Sequence, residues 1–258
     1  MTPPVSKVNK MNTKELGEYA RLRGLNLGQA EKDYYQNILL FLLYGSVSKE
    51  LVFKGGTALS KCYGLNRFSE DLDFTVLEER DFIIILEKGL GEFGILHMVK
   101  EEKTAAQSKK YRLKVQGPLY RGLERTLCSI TLDFSFREKV LSPPLIKTIG
   151  HHMDIIPVFD VYVMSQNEIL AEKIRALLAR KSARDLYDIV FLLRNGAVVD
   201  EKMIRQKLAL CGMEFDRKTF ISRCGLLEGI WESELKSLVK NVPSFKEYVG
   251  MVKGKVER

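Results

Sequence analysis

The sequence predicts an α+β protein, with a mixed α/β N-terminal half around a short mixed sheet and a C-terminal helical bundle. Short segments that alternate apolar and polar residues, as half-buried strands do, occur before about residue 165. From Ser165 onward the apolar residues follow a helical spacing. We therefore expect two domains, residues 1–164 and residues 165–258.

The composition is that of a globular protein with a basic excess. The 258 residues are 45% hydrophobic and 29% charged, which argues against bulk disorder. The formal net charge of +8 suits a polyanionic partner such as nucleic acid, or solubility alone. We find no signal-peptide core, no bilayer-spanning stretch and no zinc-ligand spacing among the four cysteines. We therefore expect a cytoplasmic protein with no membrane partner.

The predicted N-terminal half begins with two helices, Lys14–Arg23 after a cap at Asn12 or Thr13, and the more buried Leu27–Tyr44. Strands and helices then alternate. In chain order these are a strand at Leu51–Phe53, a helix at Thr57–Tyr63, a strand at Asp71–Val76, a helix at Phe82–Leu90, and strands at Ile95–Lys100, Lys110–Val115, Cys128–Phe136 and Asp160–Met164.

The predicted C-terminal half contains helices separated by glycines and Pro243. Their apolar residues recur at helical spacing, and each segment has an ordinary helix length. The predicted helices are Asn167–Arg180, Ala183–Arg194, Glu201–Leu210, Lys218–Leu227 and Glu232–Val239.

A glycine turn and a pair of aspartates supply the first chemical signal. Gly55-Gly56-Thr57 follows a strand and opens a helix, so its backbone N–H groups can approach phosphates closely. Asp71 and Asp73 stand at i and i+2 of a strand, share one face, and offer the hard oxygen ligands that Mg²⁺ prefers. Each motif alone is commonly a turn or a solvated strand face. Their strand–turn–helix–strand order favours a site for phosphoryl transfer.

The blocks that carry these motifs resemble a known family. The sequence from Lys54 to Leu59, followed by Arg67–Asp73, is similar to the AbiEii/AbiGii-type nucleotidyltransferases. These are toxin components of bacterial and archaeal toxin–antitoxin and phage-defence systems, related to the DNA polymerase β-like nucleotidyltransferase superfamily. Glu172–Arg180 and Lys181–Asp188 resemble two further blocks of the family, in the same order. Unlike the wider superfamily, the chain has Thr57 in place of serine, and a longer spacer before the aspartates.

The resemblance implies that the N-terminal half is a nucleotidyltransferase core. The expected reaction moves a nucleoside monophosphate from a nucleoside triphosphate to an acceptor hydroxyl, with Mg²⁺ (or Mn²⁺) as cofactor and pyrophosphate as leaving group. The expected acceptor is RNA, with the 3′ end of tRNA as first candidate, and the expected protein partner is a separately encoded antitoxin. The alternatives are a small-molecule or protein acceptor, or a nucleotide-binding module without catalysis.

The resemblance also implies roles for individual residues. A third carboxylate on a neighbouring strand, Asp133 or its competitor Asp160, joins the metal ligands and acts as general base. Lys173 and Arg180 lie seven residues apart and share a helix face suited to triphosphate, unless that helix simply carries alternating surface charges. The predicted catalytic residues are Asp71, Asp73, Asp133 and Lys173. The predicted nucleotide-binding residues are Lys54, Gly55, Gly56, Thr57, Ser69, Lys173, Arg180, Asp185 and Asp188, where the two aspartates position Lys173 or the nucleotide.

A further group of side chains mixes cations with aromatic rings before the predicted strand at Cys128. Such a mixture suits RNA, because cations pair with phosphates and rings stack on bases. A solvated face explains the same residues equally well. The group comprises Arg112, Lys114, Arg121 and Arg125, interleaved with Tyr111 and Tyr120.

Overall fold

The computed structural model describes residues 11–103, 107–150 and 156–257. Within them the strands are β1 (Leu51–Lys54), β2 (Leu72–Val76), β3 (His97–Glu102), β4 (Ser108–Val115), β5 (Cys128–Ser135), β6 (Leu145–Ile149) and β7 (Phe159–Val163). The helices are α1 (Thr13–Arg23), α2 (Leu27–Tyr44), α3 (Gly55–Tyr63), α4 (Phe82–Glu92), α5 (Gln166–Ala179), α6 (Ala183–Arg194), α7 (Glu201–Ala209), α8 (Arg217–Gly225), α9 (Glu228–Leu235) and α10 (Phe245–Val256).

In the described part of the chain the strands form one mixed sheet, in the order β3-β4-β5-β2-β1-β7-β6. β2 pairs with β5, and β1 with β7, in parallel, whereas β4 runs antiparallel to both β3 and β5. A mixed sheet in the N-terminal half followed by helices confirms the predicted α+β class. Among the described residues, no helix is long and apolar enough to cross a lipid bilayer.

The first two helices start where the sequence predicts, because asparagine side chains satisfy their unpaired N–H groups. Asn12 and Asn26 each form a capping box, with Glu15 and Gln29 respectively returning a bond to the cap backbone. α2 then packs on β5 and β7 and against α4. The apolar side chains of β2 and β5 alternate with their aspartates, so one face of these strands is buried.

The described residues divide into two compact units whose segments interleave along the chain. The first contains the described residues up to Phe53, together with Glu70–Phe136 and 146–163. The second contains Lys54–Ser69, Arg137–Leu145 and the described residues from Met164 onward. Within the second unit, α5 packs against α6, α7 and α8, and α10 packs against α6 and α8. The division into two continuous domains, residues 1–164 and residues 165–258, stays a prediction.

Three elements differ from the sequence prediction. β6 was not among the predicted strands, but its five residues pair as a strand at the sheet edge. The predicted helix at Glu232–Val239 lies four residues earlier, at Glu228–Leu235, where Trp231 and Leu235 are buried one turn apart. α10 was not predicted, although Tyr248, Val252 and Val256 give it a buried stripe at i, i+4 and i+8.

Stacked aromatic rings hold the buried face of the sheet, and their loss tests this part of the core. Phe134 lies 5.3 Å from the Phe74 ring and 4.9 Å from the Phe82 ring, measured between centroids. We expect Phe134→Ala to lower the free energy of unfolding by about 3–5 kcal/mol, because it leaves a cavity. Urea denaturation followed by circular dichroism measures the change. Ile84→Ala, at a side chain that is 60% exposed, is the control. Equal losses in both variants would contradict this account of the core.

Candidate active site

Two carboxylates lie side by side on neighbouring strands of the first unit. The parallel pairing of β2 with β5 places Asp73 opposite Asp133. Side chains at paired positions point to the same face, and neighbouring strands are about 4.8 Å apart. Both aspartates are half-buried, whereas the residues that flank each of them within its strand are buried. Asp71 is exposed and directly precedes β2. The strands therefore bring together the aspartates of β2 and β5 that the sequence nominated.

The same pairing distinguishes the two candidates for a third carboxylate. Asp133 is on the strand next to β2, and its Oδ1 accepts a hydrogen bond of 2.7 Å from Ser108 Oγ. Asp160 is exposed on β7, which β1 separates from β2, and it accepts a bond of 2.6 Å from Thr148 Oγ1. The geometry favours Asp133, and its chemical role stays a prediction. Sequence alternation alone could not make this choice, because it does not reveal strand order.

The donor chemistry of this face fits a hard divalent cation. Within the described ranges, no three His, Cys, Asp or Glu side chains are grouped as a metal site. Mg²⁺ commonly takes one or two protein carboxylates, and completes its coordination shell with substrate phosphates and water. Asp71 and Asp73, two residues apart at the start of β2, offer carboxylates for that arrangement. The fit is therefore to a cation that binds together with a nucleotide.

The glycine turn belongs to the second unit, where α3 begins at Gly55, two residues before the predicted start. Gly55 has φ of +74°, a conformation that glycine adopts without strain. A Cβ atom on Gly56 would lie 2.5 Å from Arg67 Nη2 and 2.7 Å from Ser69 Oγ. The second glycine is therefore needed for the close approach of these side chains. Thr57 is buried in the first turn of the helix.

Arg67 also links α3 to the charged residues of α5 and α6. Its Nε and Nη2 each donate a 2.6 Å hydrogen bond to the carboxylate of Asp188. Lys173 Nζ lies 2.8 Å from Asp188 and 3.1 Å from Asp185. All four residues are buried. The sequence predicts that these aspartates position Lys173 or the nucleotide. It gave no role to Arg67, although this residue belongs to the block that resembles the family.

The charges in this cluster stabilise one another. Burial opposes ionisation, but the carboxylates of Asp188 and Asp185 outweigh it and raise the pKa values of Arg67 and Lys173. Burial likewise favours neutral Asp185, but Lys173 and Arg180 bring its pKa down to about 2. Arg180 makes bonds of 2.8 and 3.1 Å to Asp185, yet its side chain remains 61% exposed. Of the predicted triphosphate-binding cations, Arg180 is thus the solvent-facing one and Lys173 the buried one.

A second buried cluster holds Lys54, the residue before the glycine turn. Lys54 pairs closely with Glu138, and its Nζ lies 3.5 Å from Glu172 Oε1. Lys207 bridges Glu172 at 3.0 Å and Glu168 at 2.7 Å. Arg175 Nη2 lies 2.7 Å from Glu138. Sequence reasoning missed these partners because they are far apart in the chain. The structure thus places the predicted nucleotide ligand Lys54 inside a buried ion-pair network.

Comparison with known proteins decides the family. The model of the "Nucleotidyl transferase AbiEii toxin, Type IV TA system" family matches residues 42–249. The chain belongs to this family. The chain is therefore a nucleotidyltransferase, as its sequence predicts, and membership of a type IV toxin–antitoxin family implies a nucleotide substrate, a divalent metal and an antitoxin partner. None of the curated proteins compared with the AbiEii chain matches it.

Solved structures share the fold of the AbiEii chain. MenT4, a nucleotidyltransferase toxin from Mycobacterium tuberculosis, superposes with a TM-score of 0.66 at 20% identity, covering 95% of this chain and 88% of MenT4. JHP933 from Helicobacter pylori superposes with a TM-score of 0.60 at 18% identity, covering 89% of this chain and 90% of JHP933. At these identities the likeness concerns the fold alone.

Breaking the buried cluster should be far more costly than removing its exposed member. Asp188→Asn leaves the cations of Arg67 and Lys173 buried without their shared carboxylate. We expect it to lower the free energy of unfolding by about 3–5 kcal/mol. Arg180→Ala removes an ion-pair partner that is 61% exposed, and we expect a loss of about 1 kcal/mol or less. Urea denaturation of the two variants measures both values, and similar losses would refute this ranking.

Acid should weaken the same cluster. The folded-state pKa of Asp185 is lowered to about 2, so its ionisation stabilises the fold above the unfolded-state value of about 3.9. That contribution is lost as the pH falls through the folded-state pKa. We expect the free energy of unfolding to fall by about 2 kcal/mol between about pH 4 and pH 2 because of this group. Denaturant titrations at several pH values test it. A fall of the same size in Asp185→Asn would show that other groups cause it.

Proposed function

We propose that this chain uses Mg²⁺ to transfer a nucleoside monophosphate from a nucleoside triphosphate to a hydroxyl of RNA, the 3′ end of tRNA being the first candidate. The modified RNA would arrest growth unless an antitoxin opposes the reaction. The observation that carries the proposal is the pairing of Asp73 with Asp133, with Asp71 two residues before Asp73. RNA is favoured over a small molecule by the net charge of +8.

In this proposal Asp71, Asp73 and Asp133 act at the reacting atoms. The acceptor oxygen attacks the α-phosphorus, the bond from that phosphorus to the bridging oxygen of the β-phosphate breaks, and pyrophosphate leaves. Asp133 accepts the proton of the attacking hydroxyl, while Ser108 holds its carboxylate in place. Asp71 and Asp73 would hold Mg²⁺, and the carboxylate of Asp133 would join them as a third ligand. Bound Mg²⁺ supplies charge stabilisation for the phosphates in the transition state.

The proposed nucleotide ligands lie in the second unit. Backbone N–H groups at Gly55, Gly56 and Thr57, at the start of α3, are donors suited to phosphate oxygens. Arg180 offers a solvent-facing guanidinium for the triphosphate. The remaining proposed members contribute hydroxyl or charge, with Asp185 and Asp188 positioning the lysine of α5. These members are Lys54, Ser69, Lys173, Asp185 and Asp188.

Labelling of RNA tests the reaction and names the transferred base. Purified protein is incubated with total tRNA, Mg²⁺ and each α-³²P-labelled nucleoside triphosphate in turn. We expect label on RNA from one or more nucleotides, and a loss of at least about 100-fold in Asp73→Asn and Asp133→Asn, which lack a metal ligand and the general base. Asp160→Asn is the matched control, because it changes the competing carboxylate on β7, and we expect it to keep wild-type labelling.

The possible outcomes separate the claims. Label that disappears in Asp160→Asn and persists in Asp133→Asn would assign the third carboxylate to β7 instead. Absence of label on RNA, with nucleotide binding intact, would refute the RNA acceptor and leave a small-molecule or protein acceptor. Full activity in the presence of EDTA would refute the metal requirement.

A further inference from the structure

The sheet face that carries Asp73 and Asp133 continues across β4 and β3 as a row of cations. β4 pairs with β5 so that Lys110 stands opposite Asp133, Arg112 opposite Thr131 and Lys114 opposite Ser129. Residues at paired positions share a face, so the basic side chains at alternate positions of β4 lie on the face of the carboxylates. β3 extends the row, because Lys100 stands opposite Arg112.

The spacing of strands fixes how near these cations are to the carboxylates. Lys110 is one strand from Asp133 and two strands from Asp73. At about 4.8 Å per strand, its backbone is about 5 and about 10 Å from theirs. Positive side chains therefore begin directly beside the proposed catalytic carboxylates and extend away from them along β4.

The charge of this row is only partly balanced by acids. Arg112 Nε lies 2.6 Å from Glu102, and Lys114 Nζ lies 2.6 Å from Glu124. In the part of the chain that the structure describes, no ion pair includes Lys110. Pairs at the protein surface contribute about 0–1 kcal/mol, so exchanging such a partner for a phosphate costs little. The row can therefore accept a polyanion.

The opposite face of β4 packs against apolar residues of β5. The β4 members of the cation-and-aromatic group that the sequence suggested as an RNA-binding patch are therefore divided between the two faces. Lys109, Tyr111, Leu113 and Val115 stand opposite the apolar residues of β5. The half-buried Tyr111 ring contacts the Phe134 ring edge-on at 6.1 Å between centroids. Tyr111 is thus turned away from the carboxylates, whereas Lys110 and Lys100, which the sequence reading left out, are on their side.

We infer that Lys110, Arg112 and Lys114, with Lys100 on β3, bind the sugar-phosphate backbone of the acceptor RNA. The inference rests on the proposed function and specifies where its acceptor is held. Cations that contact phosphates position a nucleic acid without reading its sequence. Since the row begins beside Asp133, an RNA strand on it presents a hydroxyl near the general base. The row is therefore a positioning surface, distinct from the residues that act on the α-phosphorus.

A triple variant, Lys110→Ala, Arg112→Ala and Lys114→Ala, tests this surface. Fluorescence anisotropy with labelled tRNA, at several salt concentrations, gives the affinity and its salt dependence. We expect weaker binding and a slope of log K against log salt that is smaller by about 2–3, because three phosphate contacts are lost. In the labelling assay the KM for RNA should rise at least about 10-fold, with less change in kcat.

Lys109→Ala is the matched control, since it removes a cation from the same strand on the opposite face, where Lys109 pairs with Glu79 at 2.6 Å. We expect it to bind RNA as the wild type does. Circular dichroism and Mg²⁺–nucleotide binding establish that both variants are folded with an intact nucleotide site.

Each result has a distinct meaning. If the wild type binds and labels tRNA but the triple variant keeps its affinity, salt slope and KM, this surface is not the acceptor site and the proposed function stands. If RNA binding by Lys109→Ala is weakened as much as binding by the triple variant, the loss reflects the lower net charge of the protein and the inference fails. If the wild type labels no RNA, the proposed function itself fails. If the triple variant loses binding of poly-glutamate but not of tRNA, the face belongs to an acidic protein.

Discussion

The register between β2 and β5 is the constraint on which the proposed reactive face of this protein depends. Side chains of a strand alternate between faces, so a slip of one residue would turn Asp73 toward the core and Phe74 toward solvent. The stacked rings of Phe74 and Phe134 prevent that slip, because they are buried at the next paired position. Packing on one face therefore holds two like charges side by side on the other.

Such a pair of carboxylates is costly in an apo protein, since like charges at neighbouring positions repel. Half-exposure to water, and the Ser108 hydroxyl on Asp133, reduce this cost. In the proposed function, this repulsion would favour the binding of a cation on the face. A bound divalent metal would reverse the local charge, and Lys110, which stands opposite Asp133, would then add to a positive field. In the proposed function, a bound metal and an RNA phosphate backbone would therefore favour each other on this face.

The second unit buries many charged side chains, which it arranges in ion-pair clusters. Glu172 and Lys173 are adjacent on α5, and each enters a separate cluster. In one, Lys54, Lys207 and Arg175 face three glutamates; in the other, Arg67 and Lys173 face Asp185 and Asp188. Buried ion pairs often add little net stability, but removing one partner strongly destabilises the fold because the other charge is left buried alone. Arrangements of the helices that would separate these partners are therefore disfavoured. Both clusters therefore anchor the segment around α3, because Lys54 precedes this helix and Arg67 follows it.

The sequence predicted the features that depend on neighbouring residues, such as helix bounds. It did not predict the features that depend on contacts between distant segments, such as strand order. Caps and apolar spacing gave α1, α2 and α6 to within a residue. Alternation placed Asp73 and Asp133 on strands correctly, but the strand predicted to begin at Asp71 begins at Leu72. Strand order is a long-range property, so only the pairing of β5 with β2 could separate Asp133 from Asp160. For the same reason, the sequence did not reveal that the missing Cβ of Gly56 also makes room for Arg67. A glycine in a phosphate-binding motif therefore has two possible causes, ligand approach and side-chain packing. In this chain, side-chain packing requires a glycine at position 56. At Gly55 the requirement is instead the backbone conformation of the turn, with φ of +74°.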